Sequence, residues 1–388
     1  FLRGELDPNL VSRTDLVAYG SALKKARNII PINQGGVERR GGTAFRADLG
    51  AESRLESFVF SAGQEYILAF QNTVLKIYST NGTLLQTVTS CAWATSQLFE
   101  LDVTQTGDTM IVVHSSFAPQ IIKRTGATTF TVSAFAFEEA TNGEKVFQPY
   151  FKFADSSITL DINQTAKGQT GVTCTTSANY WTDTYVGKRI RYHGTELLIT
   201  GFTSATVVTA TLKGDVSIEL DEDPLKTTQG SGLVEVTMVA HGFATGASIT
   251  ISGAEDIFDT DGAGLATANL NGTFSITVTD NNHFTYTAGS SDTATESVDG
   301  GGVNVKISGH PPTKKWDEQV VCDVNGFPQT ACFHEQRLYF GGTSGLPDGI
   351  QGSNIGNFFK FDVGIAEDDE SIQIQIASDQ INEIRHLV

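Results

Sequence analysis

The sequence predicts a mainly β protein, one large β-domain interrupted by small β-barrel or sandwich modules and preceded by a short N-terminal segment containing a helix. Three observations predict it. Thr, Val, Ile and Phe recur in short alternating runs broken by Gly, Asn and Asp, the pattern of antiparallel strands and turns. Ala, Leu, Glu and Lys rarely recur at a helical period. Between about residues 155 and 312 the composition becomes richer in Ser, Thr and Gly, and the strand-and-turn pattern of the first domain then returns.

Taken in order, residues 1–50 form an N-terminal docking or assembly segment with little clean period. Within it, SRTDLVAYGSALKKARNIIP allows one short helix, with Ser12 as N-cap, Asp15 near the positive end of the dipole, Leu16, Tyr19 and Leu23 on one side, and Pro31 as the stop. Residues 51–154 alternate strand and turn in two successive units of about forty residues, with turns at AGQE, QN, Asn81-Gly82, TGD and TGAT. Small up-and-down sheets in series read as propeller blades. A sandwich gives similar local signals, so periodicity leaves that choice open. Residues 155–220 form a first inserted β-module, 221–231 an acidic linker, and 232–312 a second inserted module with the character of a small β-barrel. Residues 313–388 return to the first domain. Its last strand ends abruptly at Val388 and the chain opens without Met, so a longer protein is expected.

Composition narrows the function. With 388 residues the chain suits two or three cores. No run approaches the roughly 20 apolar residues of a membrane-spanning helix. A formal charge of -18 argues against a protein that clamps nucleic acid, which needs clustered Lys and Arg, although DNA could still slide past such a surface. The cysteines, Cys91, Cys174, Cys322 and Cys332, make no CxxC pair and are too few for a disulfide scaffold. Cys322 and Cys332 flank a turn and could face each other, but unpaired thiols are the simpler reading, and synthesis in a reducing cytosol fits.

No catalytic constellation emerges, so no enzyme and no cofactor is expected. Asp256, Asp259 and Asp261 in AEDIFDTDGAG offer hard oxygen ligands for calcium, but the distal bidentate acid of a calcium loop is missing and a solvated turn is the plainer reading. His241-Gly242 has no accompanying nucleophile elbow, and His334-Glu335 is followed by QRLY, so HExxH is absent. The acid runs Asp221-Glu222-Asp223 and Asp368-Asp369-Glu370 read as solvated loops rather than a glycosidase pair.

The two ends of the chain carry a family resemblance. Phe1, Gly4-Glu5-Leu6-Asp7-Pro8, Arg13, Asp15, Tyr19, Asn28, Gly35-Gly36, Arg39-Arg40 and Gly42-Thr43 resemble the opening of the tail tubular and tail nozzle proteins of short-tailed phages, with Gly41 where Pro is common. Arg337-Leu338-Tyr339-Phe340-Gly341-Gly342-Thr343, Gly352-Ser353, Gly356-Asn357-Phe358-Phe359 and Ser378-Asp379-Gln380-Ile381-Asn382 are similar to that family's propeller strands. In the second inserted module, Ala240-His241-Gly242-Phe243, Thr245-Gly246, Asn271-Gly272-Thr273-Phe274 and His283-Phe284-Thr285 resemble a small β-module of phage structural proteins related to a domain of ubiquitin-activating enzymes. There, His241-Gly242 is a turn feature.

The resemblance implies a propeller-like fold and a virion protein of the phage tail, made in the host cytoplasm. It implies a homo-oligomeric ring, commonly of six copies, beneath the portal and its adaptor, in contact with a tail fibre or tip and with double-stranded DNA only as it exits. An acidic ring would repel phosphate and let DNA pass. The cations Lys24, Lys25, Arg27, Arg39 and Arg40, with Arg13 and Asp15, are then expected at subunit or adaptor contacts. Two readings of other classes stand beside it. One is a glycan-binding or glycan-degrading receptor protein, for which Tyr180 and Trp181 would stack on sugars. The other is a calcium-dependent adhesin.

Overall fold

Alternating apolar residues become paired strands throughout the computed structural model, which describes residues 3–10, 12–32, 34–258, 264–289, 293–364, 367–377 and 383–388. The chain divides into two units, residues 1–50 with 80–83 and residues 51–79 with 84–388.

In the first unit β1 (Ile29–Pro31) and β2 (Val37–Arg39) form a hairpin with Ile29 opposite Arg39. The helix expected after Ser12 is replaced by 3-10 turns at Pro8–Leu10 and Tyr19–Ser21. Helices in proteins gain most of their stability by burying an apolar face. Here Leu23 is instead drawn into a bridge with Glu5, and Val17 is 96% exposed.

The second unit begins with two four-stranded meanders. The first is β3 (Arg54–Ser61), β4 (Gln64–Gln71), β5 (Val74–Ser79) and β6 (Leu84–Thr89), each paired with the next. The second is β7 (Asp102–Thr106), β8 (Thr109–His114), β9 (Phe117–Arg124) and β10 (Phe130–Ala134). A third meander of the same form comes from Thr330–His334, Arg337–Thr343, Leu346–Gly352 and Ile372–Gln375.

β8 shows how the three stack. Its continuous apolar run is used on both faces: Met110 and Val112 enter the core shared with β3–β6, while Ile111 and Val113 enter a second core with Leu338, Phe340 and Phe361 of the third meander. A strand covered on both sides must be apolar at every position. Polar clamps set the order at the edges. Gln105 of β7 bonds the main chain of Val59 in β3, Gln86 of β6 bonds that of Phe130 in β10, and Asp102 at the start of β7 accepts from Thr330 Oγ1 at 2.6 Å and from the Ala331 amide at 3.2 Å. First strands thus neighbour first strands, as in adjacent propeller blades.

Between β10 and Thr330 the chain builds two further β-structures. The first is a seven-stranded antiparallel sheet in the order Tyr150–Phe151, Trp316–Gln319, Arg189–Tyr192, Thr195–Ser204, Val207–Leu212, Val172–Thr176 and Leu160–Ile162. Its core includes Trp181, Tyr192, Leu197 and Trp316. Two of its strands lie outside residues 155–220, because Trp316–Gln319 returns to pair with both Tyr150–Phe151 and Arg189–Tyr192.

The second structure has a four-stranded and a five-stranded sheet sharing one core, with Ile249, Ile251 and Ile307 from one and Val234, Val236 and Phe284 from the other. It holds the only α-helix among the described residues, Thr267–Leu270. The stretch 221–231, expected as a linker, contains the strand Leu225–Thr227, which pairs with Leu233–Thr237. Leu225 and Thr227 are buried; the neighbouring acids mask a strand whose alternate side chains point into the core.

Candidate functional site

The N-terminal unit is the first candidate, and its described residues are all exposed or half-buried. None of the described residues between 3 and 50 is buried. Val17, Ile30, Val37 and Phe45 are all exposed, Phe45 at 82%. Residues 1–50 hold eight Lys and Arg against five Asp and Glu, net +3, whereas residues 51–388 hold 18 against 39, net -21. A cationic, apolar segment without a core of its own therefore leads a strongly acidic body.

The structure places the expected contact residues in three groups. Arg13 and Asp15 bind each other through two 2.8 Å hydrogen bonds, both side chains exposed. That pairing raises the Arg13 pKa and lowers that of Asp15. Arg39 and Arg40 lie at the base of the β1–β2 hairpin. The Arg40 amide donates to Asn28 O at 3.0 Å and its Nε to Asn28 Oδ1 at 2.9 Å, with Asn28 in the left-handed region at φ 58°. Lys24, Lys25 and Arg27 lie in the segment joining the Glu5–Leu23 bridge to β1.

The motif from Arg337 to Thr343 is a strand of the third meander, and its residue types have structural reasons. Arg337 is buried and donates to the carbonyls of Ser353 and Asp368, each at 2.6 Å, and of Glu370. Gly342 has φ 70°, and a Cβ there would collide with the Ile384 carbonyl. Phe1 and Ser378–Asn382, which share the resemblance, lie outside the described residues.

Other sequence candidates resolve into packing. His241 is 3% exposed; its Nδ1 accepts from the Phe243 amide at 2.9 Å, so its Nε2 donates to Asp280 O, also at 2.9 Å. With Ala240 and Gly242 at positive φ it is the turn feature expected. Asp256 Oδ1 accepts from the Thr267 amide and hydroxyl at the start of the α-helix. Asp259 and Asp261 lie outside the described residues, and among those described no group of three His, Cys, Asp or Glu is placed to hold a metal. All four cysteines are free, and burial pushes Cys91 up to about 11 and Cys174 to about 12.

The aromatic residues expected to stack on sugars do not line an open surface. Trp181 is 2% exposed and packs on Tyr180, Tyr185 and Trp316. Tyr180 OH donates to the Glu318 carboxylate at 2.7 Å, as does Tyr185 OH at 2.8 Å. Glu318 is 1% exposed, and burial raises its pKa against the opposing pull of both tyrosines.

Sequence patterns did not reveal a cationic cleft of about 850 Å³ between the seven-stranded sheet and residues Ser217–Glu219. Lys152, Arg191, His193, Lys314 and Lys315 line it, and the adjacent lysines in an acidic chain were the one signal available. His193 and Gly194 are the two turn residues between Tyr192 and its partner Thr195, both at positive φ as a type I′ turn requires. The His193 amide donates to Lys315 O at 3.0 Å, its Nε2 is buried without a hydrogen-bond partner, and burial together with the Lys315 charge pushes its pKa down to about 4.

No protein-family model and no curated protein matches the chain. Among solved structures it is similar to a phage phi92 endosialidase, at 10% identity and a TM-score of 0.20, over 71% of this chain and 46% of that one. The chain thus spans less than half the length of that structure. Among the described residues no helix is long and apolar enough to cross a membrane.

Proposed function

We propose that this chain is a structural subunit of a phage tail, a ring-forming nozzle protein whose N-terminal fifty residues dock it to a neighbouring subunit or to the portal adaptor. The observation that carries this reading is the N-terminal unit itself. It bears the pattern from Gly4-Glu5 to Gly42-Thr43, exposes its apolar side chains, buries none of its described residues and is cationic ahead of a body of net charge -21. Ordering such a segment costs conformational entropy that only contacts outside it can offset. The acidic body suits a ring, commonly of six copies, whose lumen repels phosphate as DNA leaves, with a fibre or tip attached below.

The test is Arg39→Glu with Arg40→Glu. Both side chains are exposed and the one side-chain hydrogen bond lost among the described residues, Arg40 to Asn28, lies in the N-terminal unit, so the β-body of the variant should melt as in the wild type. Mass photometry and negative-stain images of the wild type, alone and with the adaptor, should show a hollow ring that the variant does not form. A variant that assembles normal tails would overturn the docking role, and a wild type that stays a compact trimer or monomer with the adaptor present would overturn the nozzle.

A further inference from the structure

We propose that the cleft between the seven-stranded sheet and Ser217–Glu219 binds an acidic saccharide, its carboxylate held by Lys314 and Lys315. This stands independently of the tail assignment.

Several polar groups in the cleft are already engaged. Arg191 is one: its guanidinium binds Asp317 at 2.8 and 2.6 Å and Asp362 at 3.2 Å, and lies 4.2 Å from the centre of the Tyr150 ring. Lys152 is largely engaged. Its ammonium donates to Ile158 O and Lys314 O, each at 2.9 Å, and sits 4.7 Å from the centre of the Trp316 ring, leaving one N–H. Glu219 pairs with Lys306 at 2.8 Å. Lys314 and Lys315 make no ion pair among the described residues and are exposed. Beside them is the exposed Ser217.

What remains free is two ammoniums, one further N–H and one hydroxyl. Two free cations side by side, on a body of strongly negative charge, favour an anion. The cleft also presents the carboxylates of Glu219 and Asp317, which can accept from sugar hydroxyls that phosphate and an acidic peptide do not offer. The partly exposed Phe151 ring offers an apolar surface for the C–H face of a sugar. The volume of about 850 Å³ lies within the range of small-ligand sites, and a position between two β-structures is typical of them.

Calorimetric titration of the full chain with trigalacturonate, inorganic phosphate and hexaglutamate tests this, with Lys314→Gln/Lys315→Gln as the variant. Trigalacturonate should bind at least tenfold more tightly than either other probe, and the variant should lose at least tenfold of that affinity with an unchanged melting temperature. Absence of trigalacturonate binding, equal affinity in the variant, or phosphate or hexaglutamate binding as tightly as the saccharide would each overturn the proposal.

Discussion

Gln105 closes a two-point bond with the main chain of Val59, its Oε1 accepting from the Val59 amide at 3.1 Å and its Nε2 donating to the Val59 carbonyl at 2.8 Å. Gln86 does the same to Phe130 at the opposite edge of the two meanders, at 2.6 and 2.9 Å. A primary amide presents one donor and one acceptor side by side, so it can replace a missing strand partner. Together with Arg124, which donates to the Tyr66 hydroxyl and to Gln64, and the Tyr66 hydroxyl, which donates to Ala127 O, these clamps fix two sheets across a shared apolar core, and apolar contact by itself sets no register.

Gln86→Ala is expected to cost more than Gln105→Ala. The Phe130 groups are partly buried and would be left without partners, a loss of about 1–3 kcal/mol, whereas water can reach the exposed Val59 groups and the loss there is about 0.5–1 kcal/mol. The sites are at opposite edges, so the double variant should show nearly the sum. Urea unfolding of the three variants measures this; equal losses at both sites would remove burial as the reason.

Arg337→Met should be among the most damaging single changes in the third meander. It strands the carbonyls of Ser353, Asp368 and Glu370 with no donor, at a cost of roughly 3 kcal/mol. Arg337→Lys keeps the charge but lacks the planar fork, and should fall between Met and wild type. Chemical denaturation ranks the three; a Lys variant as stable as wild type would show that charge alone suffices.

Glu318 makes the fold weaker as pH rises. Its folded pKa lies above the unfolded value of 4.5, so the native state keeps the proton longer and loses stability as pH climbs from 4.5 through the folded pKa. Glu318→Gln removes that dependence while keeping an acceptor for the Tyr180 and Tyr185 hydroxyls. Its stability relative to wild type should therefore be higher at pH 8 than at pH 4. Urea midpoints at pH 4, 6 and 8 that differ by a constant amount would contradict this.

His193 acts in the opposite direction. Its folded pKa of about 4 lies below the unfolded 6.5, so the unfolded chain binds a proton first and stability is lost as pH falls through that interval. His193→Asn tolerates the left-handed turn and cannot titrate. Between pH 6.5 and 4 it should lose less stability than wild type by roughly 2 kcal/mol, allowing for partial exposure. Parallel thermal melts at the two pH values would show the difference, and superimposable pH profiles would refute it.

The β-class, the four-stranded repeats and the return of the first domain's pattern after the insertions were legible because alternation is written in consecutive residues, and a pleated strand reads them two by two. The run Met110–Val113 was equally visible as a strand, but its use in two cores was not. The helix after Ser12 failed because propensity and spacing promise an apolar face without supplying anything for it to pack against. The strand Leu225–Thr227 was hidden by the acids around it, which stay outside the core while Leu225 and Thr227 turn inward.

The sequence by itself determined the charge division between the first fifty residues and the rest, since charge is a sum over residues and needs no fold. Only the tertiary structure decided that Tyr180 and Trp181 pack inward rather than line an open surface. Only the fold, likewise, brought Arg191 to Asp317, 126 positions away, and set His193 beside Lys315 to form a cleft. The reason is physical: strand pairing is chosen by which apolar faces can be buried together, and the polar groups carried along at the strand ends meet partners that no local pattern specifies.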